Sequence, residues 1–138
     1  MTDRKLNYLI DLHGVIDSNP NFFKKFTEDL IKNGNKVYIC TGSRFQDAWN
    51  KLKEFNFKKD INFNQIFSIS EILESRIPAA EIEYDVNMDL WVDDMLWWPT
   101  KGNLCKEHNI NVIIDDSEEY FVYIPKNVVK LHYHQNGK

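Results

Sequence analysis

Apolar residues along this chain alternate between two kinds of spacing. Leu6 to Ile10 is a mostly apolar run of strand length that stops at Asp11. Phe22, Phe23, Phe26, Leu30 and Ile31 then recur at three- and four-residue intervals, which predicts an amphipathic helix. Asn19 reads as its N-cap, Pro20 as its first residue and Gly34 as the left-handed residue that closes it. Lys36 to Cys40 reads as a second strand, and Phe45, Trp49, Leu52 and Phe55 mark a second helix. Gln65 to Ile69 predicts a third strand. Ser70 with Glu71 to Ile77 predicts a short helix that must end before Pro78. A short helical stretch beginning near Lys101 leads into Val112-Ile113-Ile114, another strand, which stops at Asp115-Asp116. Strands separated by helices imply parallel βαβ units with right-handed crossovers. The expected fold class is α/β, a Rossmann-like parallel sheet sandwiched by helices.

One segment breaks this rhythm. From Glu81 to Val92, Ile82, Tyr84, Val86, Met88, Leu90 and Val92 alternate with mostly acidic or amide residues. Period two predicts a half-buried strand or hairpin. It either forms a small β insertion, at about residues 71–99, or extends the main sheet. The 138 residues suit one compact domain, residues 1–138, and nine Phe, six Tyr and four Trp supply material for a core. A formal net charge of −4, with scattered basic residues, argues against a partner as basic-demanding as long nucleic acid. Cys40 and Cys105 lack metal-ligand spacing and do not form a disulfide framework, which points to a reducing compartment. The polar start, Met1-Thr2-Asp3-Arg4-Lys5, and the lack of an apolar run near 20 residues predict a soluble, cytoplasmic protein without a membrane partner. Nothing in the pattern sets an oligomeric state.

The candidate chemistry sits where the strands end. A carboxylate at the end of a buried strand must be paired, hydrogen-bonded or bound to metal. In open α/β sheets the functional crevice lies outside the carboxyl ends of the strands. Asp11, followed by Leu12-His13-Gly14-Val15-Ile16-Asp17, would stand at that crevice. Thr41-Gly42-Ser43-Arg44 ends the second strand, Lys101 precedes Gly102, and Asp115-Asp116 ends the later strand. This order of Asp, Thr/Ser, Lys and paired Asp resembles the haloacid dehalogenase superfamily of phosphotransferases, over about residues 6 to 133. The resemblance implies a Rossmann-like core. The family often carries a cap insertion where residues 81–92 fall, whereas the stretch after Asp17 has almost no room for a large cap.

The same resemblance implies the roles. Asp11 would be the nucleophile, forming an aspartyl-phosphate that splits hydrolysis into two steps. Mg²⁺ would be held by Asp11, by Asp115 or Asp116, and by the backbone carbonyl of His13. Thr41, with Ser43 as the second choice, would hydrogen-bond a phosphoryl oxygen, helped by the amide of Gly42 and the helix that follows. Lys101 would neutralise charge on the nucleophile and the transferring group. His13 departs from the pattern, because the family's phosphatases carry a second aspartate there as acid and base. Imidazole can serve in that role near neutral pH. The expected function is Mg²⁺-dependent hydrolysis of a small phosphorylated metabolite, with nucleotides among the candidates. The alternative is a catalytically degenerate relative that binds a phosphorylated ligand or protein partner without turnover.

Other residues carry weaker readings. Asp93-Asp94 also follows an apolar stretch and could be the metal pair or approach the metal as an additional acid, but only Asp115-Asp116 is preceded by Lys101 and its helix. Asp17 is expected to cap the first helix with Asn19, and Arg44 to contact substrate or lie exposed. His132 and His134 share one face of a terminal strand, a weak metal signal, and His108 reads as a solvated helix-end residue. Trp91, Trp97 and Trp98, with Met95 and Pro99, form an aromatic cluster that packs the core or a dimer contact, or else stacks a planar substrate.

Overall fold

The computed structural model describes residues 4–87 and 90–134. Met1, Thr2 and Asp3, and Met88 and Asp89 of the alternating segment, lie outside the described residues. Five strands, β1 (Asn7–Asp11), β2 (Lys36–Thr41), β3 (Gln65–Ser68), β6 (Val112–Asp115) and β7 (Val129–His132), form a parallel sheet in the order β3-β2-β1-β6-β7. Two further strands, β4 (Glu83–Tyr84) and β5 (Leu90–Trp91), pair antiparallel in a separate ribbon.

Helices cover both faces. Leu9, Tyr38 and Ile113 point to one face, where Leu73 of α3 (Ile69–Arg76) and Leu104 of α5 (Thr100–Glu107) complete a core. Ile10, Ile39 and Ile114 point to the other, against Phe23 of α1 (Pro20–Lys32) and Leu52 of α2 (Phe45–Glu54). Double burial explains why these strands read as continuous apolar runs. Each fully buried Leu or Ile contributes roughly 1.5–3 kcal/mol over exposure. Asn19 caps α1 by accepting from the Phe22 amide, with Pro20 behind it, and Gly34 closes the chain reversal at φ +86°.

Two expectations are corrected. β3 stops at Ser68 and α3 starts at Ile69, one residue earlier than expected, because the Ser68 hydroxyl accepts from the Glu71 amide and caps the helix there. Asp17 does not cap α1; its Oδ1 accepts from the Gly14 amide at 2.8 Å, inside its own loop. The alternating segment forms the expected hairpin-like ribbon, as an insertion outside the main sheet, and its burial is uneven: Val92 is 8% exposed and Leu90 packs on the core, while Val86 in the middle of the segment faces water. Tyr84 is 43% exposed, Val86 98% and Trp91 62%. A short α4 (Asp94–Trp97) follows it, and no helix among the described residues is long and apolar enough to cross a membrane.

Strand order reverses beside β1: the chain builds β2 and β3 on one side, then crosses to β6 and β7 on the other. The switch point therefore lies between β1 and β6, and their carboxyl ends carry Asp11 and Asp115.

Candidate functional site

Asp11, Lys101 and Asp115 meet beneath this switch point, all nearly inaccessible. Lys101 Nζ lies 3.4 Å from Asp11 Oδ1 and donates to Asp115 Oδ2. Asp115 Oδ1 accepts from the Ser117 amide at 2.9 Å, so its carboxylate is held at both oxygens. Lys101 also sits 3.8 Å above the Tyr120 ring, a cation–π contact that offsets part of its lost hydration.

Two glycines let these pieces approach. A Cβ on Gly102 would lie 2.1 Å from the Tyr123 carbonyl oxygen. Without it, the 3-10 turn Glu118–Tyr123 packs onto α5 and slides Tyr120 under Lys101. Gly14 has φ +85°, and a Cβ there would lie 2.0 Å from Asp116 Oδ2. The loop after β1 thus leaves room for Asp116 beside Asp11. One oxygen each from Asp11, Asp115 and Asp116 falls within 4.8 Å of the others, the span of a divalent-cation shell of radius about 2.1–2.6 Å. His132 donates through Nε2 to the Asp116 carbonyl at 3.1 Å and steadies that residue from behind.

Burial pushes the Asp11 carboxyl up to about 8; Lys101 pulls it down, but Asp115 and Asp116 add to the rise. Burial works against the Lys101 charge, yet Asp11 and Asp115 beside it outweigh that and hold it above the ordinary lysine range. Burial pushes the Cys40 thiol up to about 12, so it stays neutral. Three carboxyl groups thus gather around one ammonium. A hard dication held by oxygen ligands fits the remaining negative charge and the donor set.

At the end of β2, Thr41 is fully buried and its Oγ1 lies 2.8 Å from Ser43 Oγ. Gly42 runs beneath Trp97, whose ring would be 3.0 Å from a Cβ there. Ser68 donates to the Ser43 carbonyl at 2.6 Å, and Ser70 donates to the Gly42 carbonyl. These two serines anchor the loop, and nothing in the sequence pattern marks them for it. Arg44 is tied by both guanidinium arms to Glu74, which also accepts from Tyr84 at 2.6 Å, so it is committed to structure.

His13 stands at the rim, its side chain 48% exposed. Nδ1 lies 3.3 Å from Asp17 Oδ2 and Nε2 lies 3.4 Å from Ser43 Oγ. Asp17 also accepts from Lys51 at 3.2 Å. Burial raises the Asp17 carboxyl, but the Gly14 amide, Lys51 and His13 outweigh it and leave it below the usual range.

The remaining candidates fall elsewhere. Asp93 and Asp94 are exposed, and Asp93 caps α4 through the Met95 amide at 2.8 Å. Trp97 donates to the Tyr120 hydroxyl at 3.0 Å and Trp98 packs edge-on against the same ring, so both brace the lysine platform. Trp91 and Met95 point to solvent. His134 lies beyond the end of β7, its ring 4.1 Å from that of His132. His108 ends α5 but is half-buried, 4.6 Å from the Phe67 ring, which corrects its solvated reading. Tyr120 carries no signal in sequence, since its place depends on a close approach to Gly102.

No family model, no curated protein and no solved structure matches this chain.

Proposed function

We propose that this protein is a Mg²⁺-dependent phosphomonoester hydrolase of the haloacid dehalogenase type, working through an aspartyl-phosphate on a small phosphorylated metabolite, nucleotides included. One juxtaposition carries the reading. Asp11, Lys101, Asp115 and Asp116 gather at the ends of β1 and β6, and Thr41-Gly42-Ser43 ends the adjacent β2. An Asp11 oxygen attacks phosphorus, the phosphorus–ester oxygen bond breaks, and the leaving oxygen takes a proton from His13. Water then attacks the same phosphorus, giving its proton to His13 and releasing phosphate and the Asp11 carboxylate. Asp17 and Lys51 hold the imidazole so that Nε2 faces the Ser43 side. Lys101 balances charge on the nucleophile throughout. Asp11, Asp115 and Asp116 would hold the Mg²⁺, which supplies charge stabilisation and keeps Asp11 ionised.

The second reading, a binder without turnover, draws on His13 in the place of an acid and on its exposure. Phosphate release from a panel of phosphomonoesters, with Mg²⁺ and with EDTA, separates the two. Metal-dependent release that vanishes in Asp11→Asn is expected. Release no greater than that of the variant at any pH from 5 to 9 overturns the hydrolase. Thermal stabilisation by phosphate that persists in Asp11→Asn would then favour the binder.

A further inference from the structure

A second concave site lies at the other end of the sheet. Helix α2 begins beside the Thr41–Ser43 loop and runs for about 15 Å of helix rise away from it. Its second half and the segment after it line a cavity of about 390 Å³, with Trp49, Phe57 and Phe63 as the apolar wall and Lys53, Lys58 and Lys59 around it. That volume falls within the about 300–1,000 Å³ range of small-molecule sites.

The cavity is built on a rigid frame. Phe57 and Phe63 are almost fully buried, and Trp49 meets Phe63 edge-on at 5.9 Å. The loop between them is held by Asn62, itself 1% exposed. Its side chain accepts from the Lys58 amide at 2.9 Å and donates to the Lys24 carbonyl on α1 at 3.0 Å. Asn56 and Asp60 take positive φ, 62° and 66°, to fold the loop back. Little ordering remains to be done on binding, which favours a preformed site.

Its charge is opposite to that of the chain. All three lysines are exposed, in a protein of formal net charge −4. Lys59 pairs with Asp60 at 3.6 Å, whereas Lys53 and Lys58 have no ion pair among the described residues. Lys53 suits the negative end of α2, but Lys58 lies outside the helix and has no such role. Clustering like charges around an apolar floor costs repulsion that an anion would relieve.

We infer that this pocket binds a small anion with a flat, apolar body, the body lying on Trp49, Phe57 and Phe63 and the charge between Lys53 and Lys58. The site is independent of the hydrolase reading. The probe is naphthalene-1-sulfonate, which contains no phosphoester, titrated into the full-length protein and followed by amide chemical shifts in two-dimensional NMR. Saturable one-to-one binding is expected, with shifts concentrated in residues 49–63. The charge-reversed pair Lys53→Glu and Lys58→Glu should weaken it about tenfold or more, while the amide spectrum stays folded. Trp49→Leu should weaken it without changing the salt dependence. Unsaturable shifts, shifts centred on residues 11–17 and 41–44, or an affinity unchanged by the double charge reversal would each overturn the assignment.

Discussion

Asp11 ends β1 and Asp17 lies in the turn that follows it, each beside a lysine, and their carboxyl groups are driven in opposite directions. Asp11 is pushed up to about 8, chiefly by burial, although Lys101 Nζ is 3.4 Å away. Asp17 is held low, because the Gly14 amide, Lys51 and His13 outweigh its burial. A lysine neighbour does not decide the outcome; the supply of donors per carboxylate does. Asp17 has three donors to itself. Asp11 shares a single ammonium with Asp115 in a region closed to water, and Asp116 adds a further negative charge. The first arrangement is complete as it stands. The second is short of positive charge, which is the condition in which a dication becomes useful.

The largest effect should come from removing the shared cation. Lys101→Met keeps most of the stem volume but leaves the buried Asp115 carboxylate, and Asp11 wherever it is ionised, without a cation, and breaking a buried pair costs about 3–5 kcal/mol. Urea denaturation at pH 8 should show that loss. At pH 5 the cost should be smaller, since Asp11 is then protonated and Asp115 alone loses its cation. Equal stability of variant and parent at pH 8 would mean that the buried ammonium does not hold the centre together.

Much of this centre is legible in the amino-acid sequence. β1, β2 and β6 are buried on both faces, so their apolar runs are unbroken and their polar ends stand out as Asp11, Thr41 and Asp115. Asn19-Pro20 marks its helix start because cap chemistry is local. The parts that are not legible depend on contacts between distant segments. Tyr120 reaches Lys101 only because Gly102 lacks a side chain, and Asp116 reaches Asp11 only because Gly14 does. The stretch from Glu81 to Val92 is legible as a ribbon but not in its degree of burial. Period two describes any extended ribbon, and here it is paired mainly with itself and leaves Val86 in solvent. At Ser68 the apolar run continues into Ile69, but a capping hydroxyl overrides strand propensity.

The next effect is a pH dependence with a fixed sign. A carboxyl raised from 3.8 to about 8 by folding binds more protons in the folded than in the unfolded state between those values. Its contribution to stability is therefore full below about pH 4 and is lost progressively as pH rises through about 8. In EDTA, the protein should lose stability across that window, by an amount that Asp11→Asn removes. If Mg²⁺ binds the trio, adding it at pH 8 should restore stability to the parent and restore much less to Asp11→Asn. A parent whose stability in EDTA is flat from pH 5 to 8 would break the contrast between the two aspartates.

The smallest effect belongs to the rim and runs the other way with pH. Asp17→Asn keeps the shape but weakens charge-assisted bonds to Lys51, His13 and the Gly14 amide. Because the site is partly open to water, the expected cost at pH 7 is only about 1 kcal/mol. A lowered carboxyl gives stability that is present above its unfolded value of 3.8 and is lost as pH falls through its folded value. The difference between parent and variant should therefore shrink in acid, where that of Lys101→Met also shrinks but for the opposite reason. At Asp17 protonation removes a favourable charge, whereas at Asp11 it removes an uncompensated one. Measuring both variants by urea denaturation at pH 3, 5 and 8 tests this directly. The Asp17→Asn difference should hold between pH 8 and 5 and fall only below that, while the Lys101→Met difference should already have fallen by pH 5.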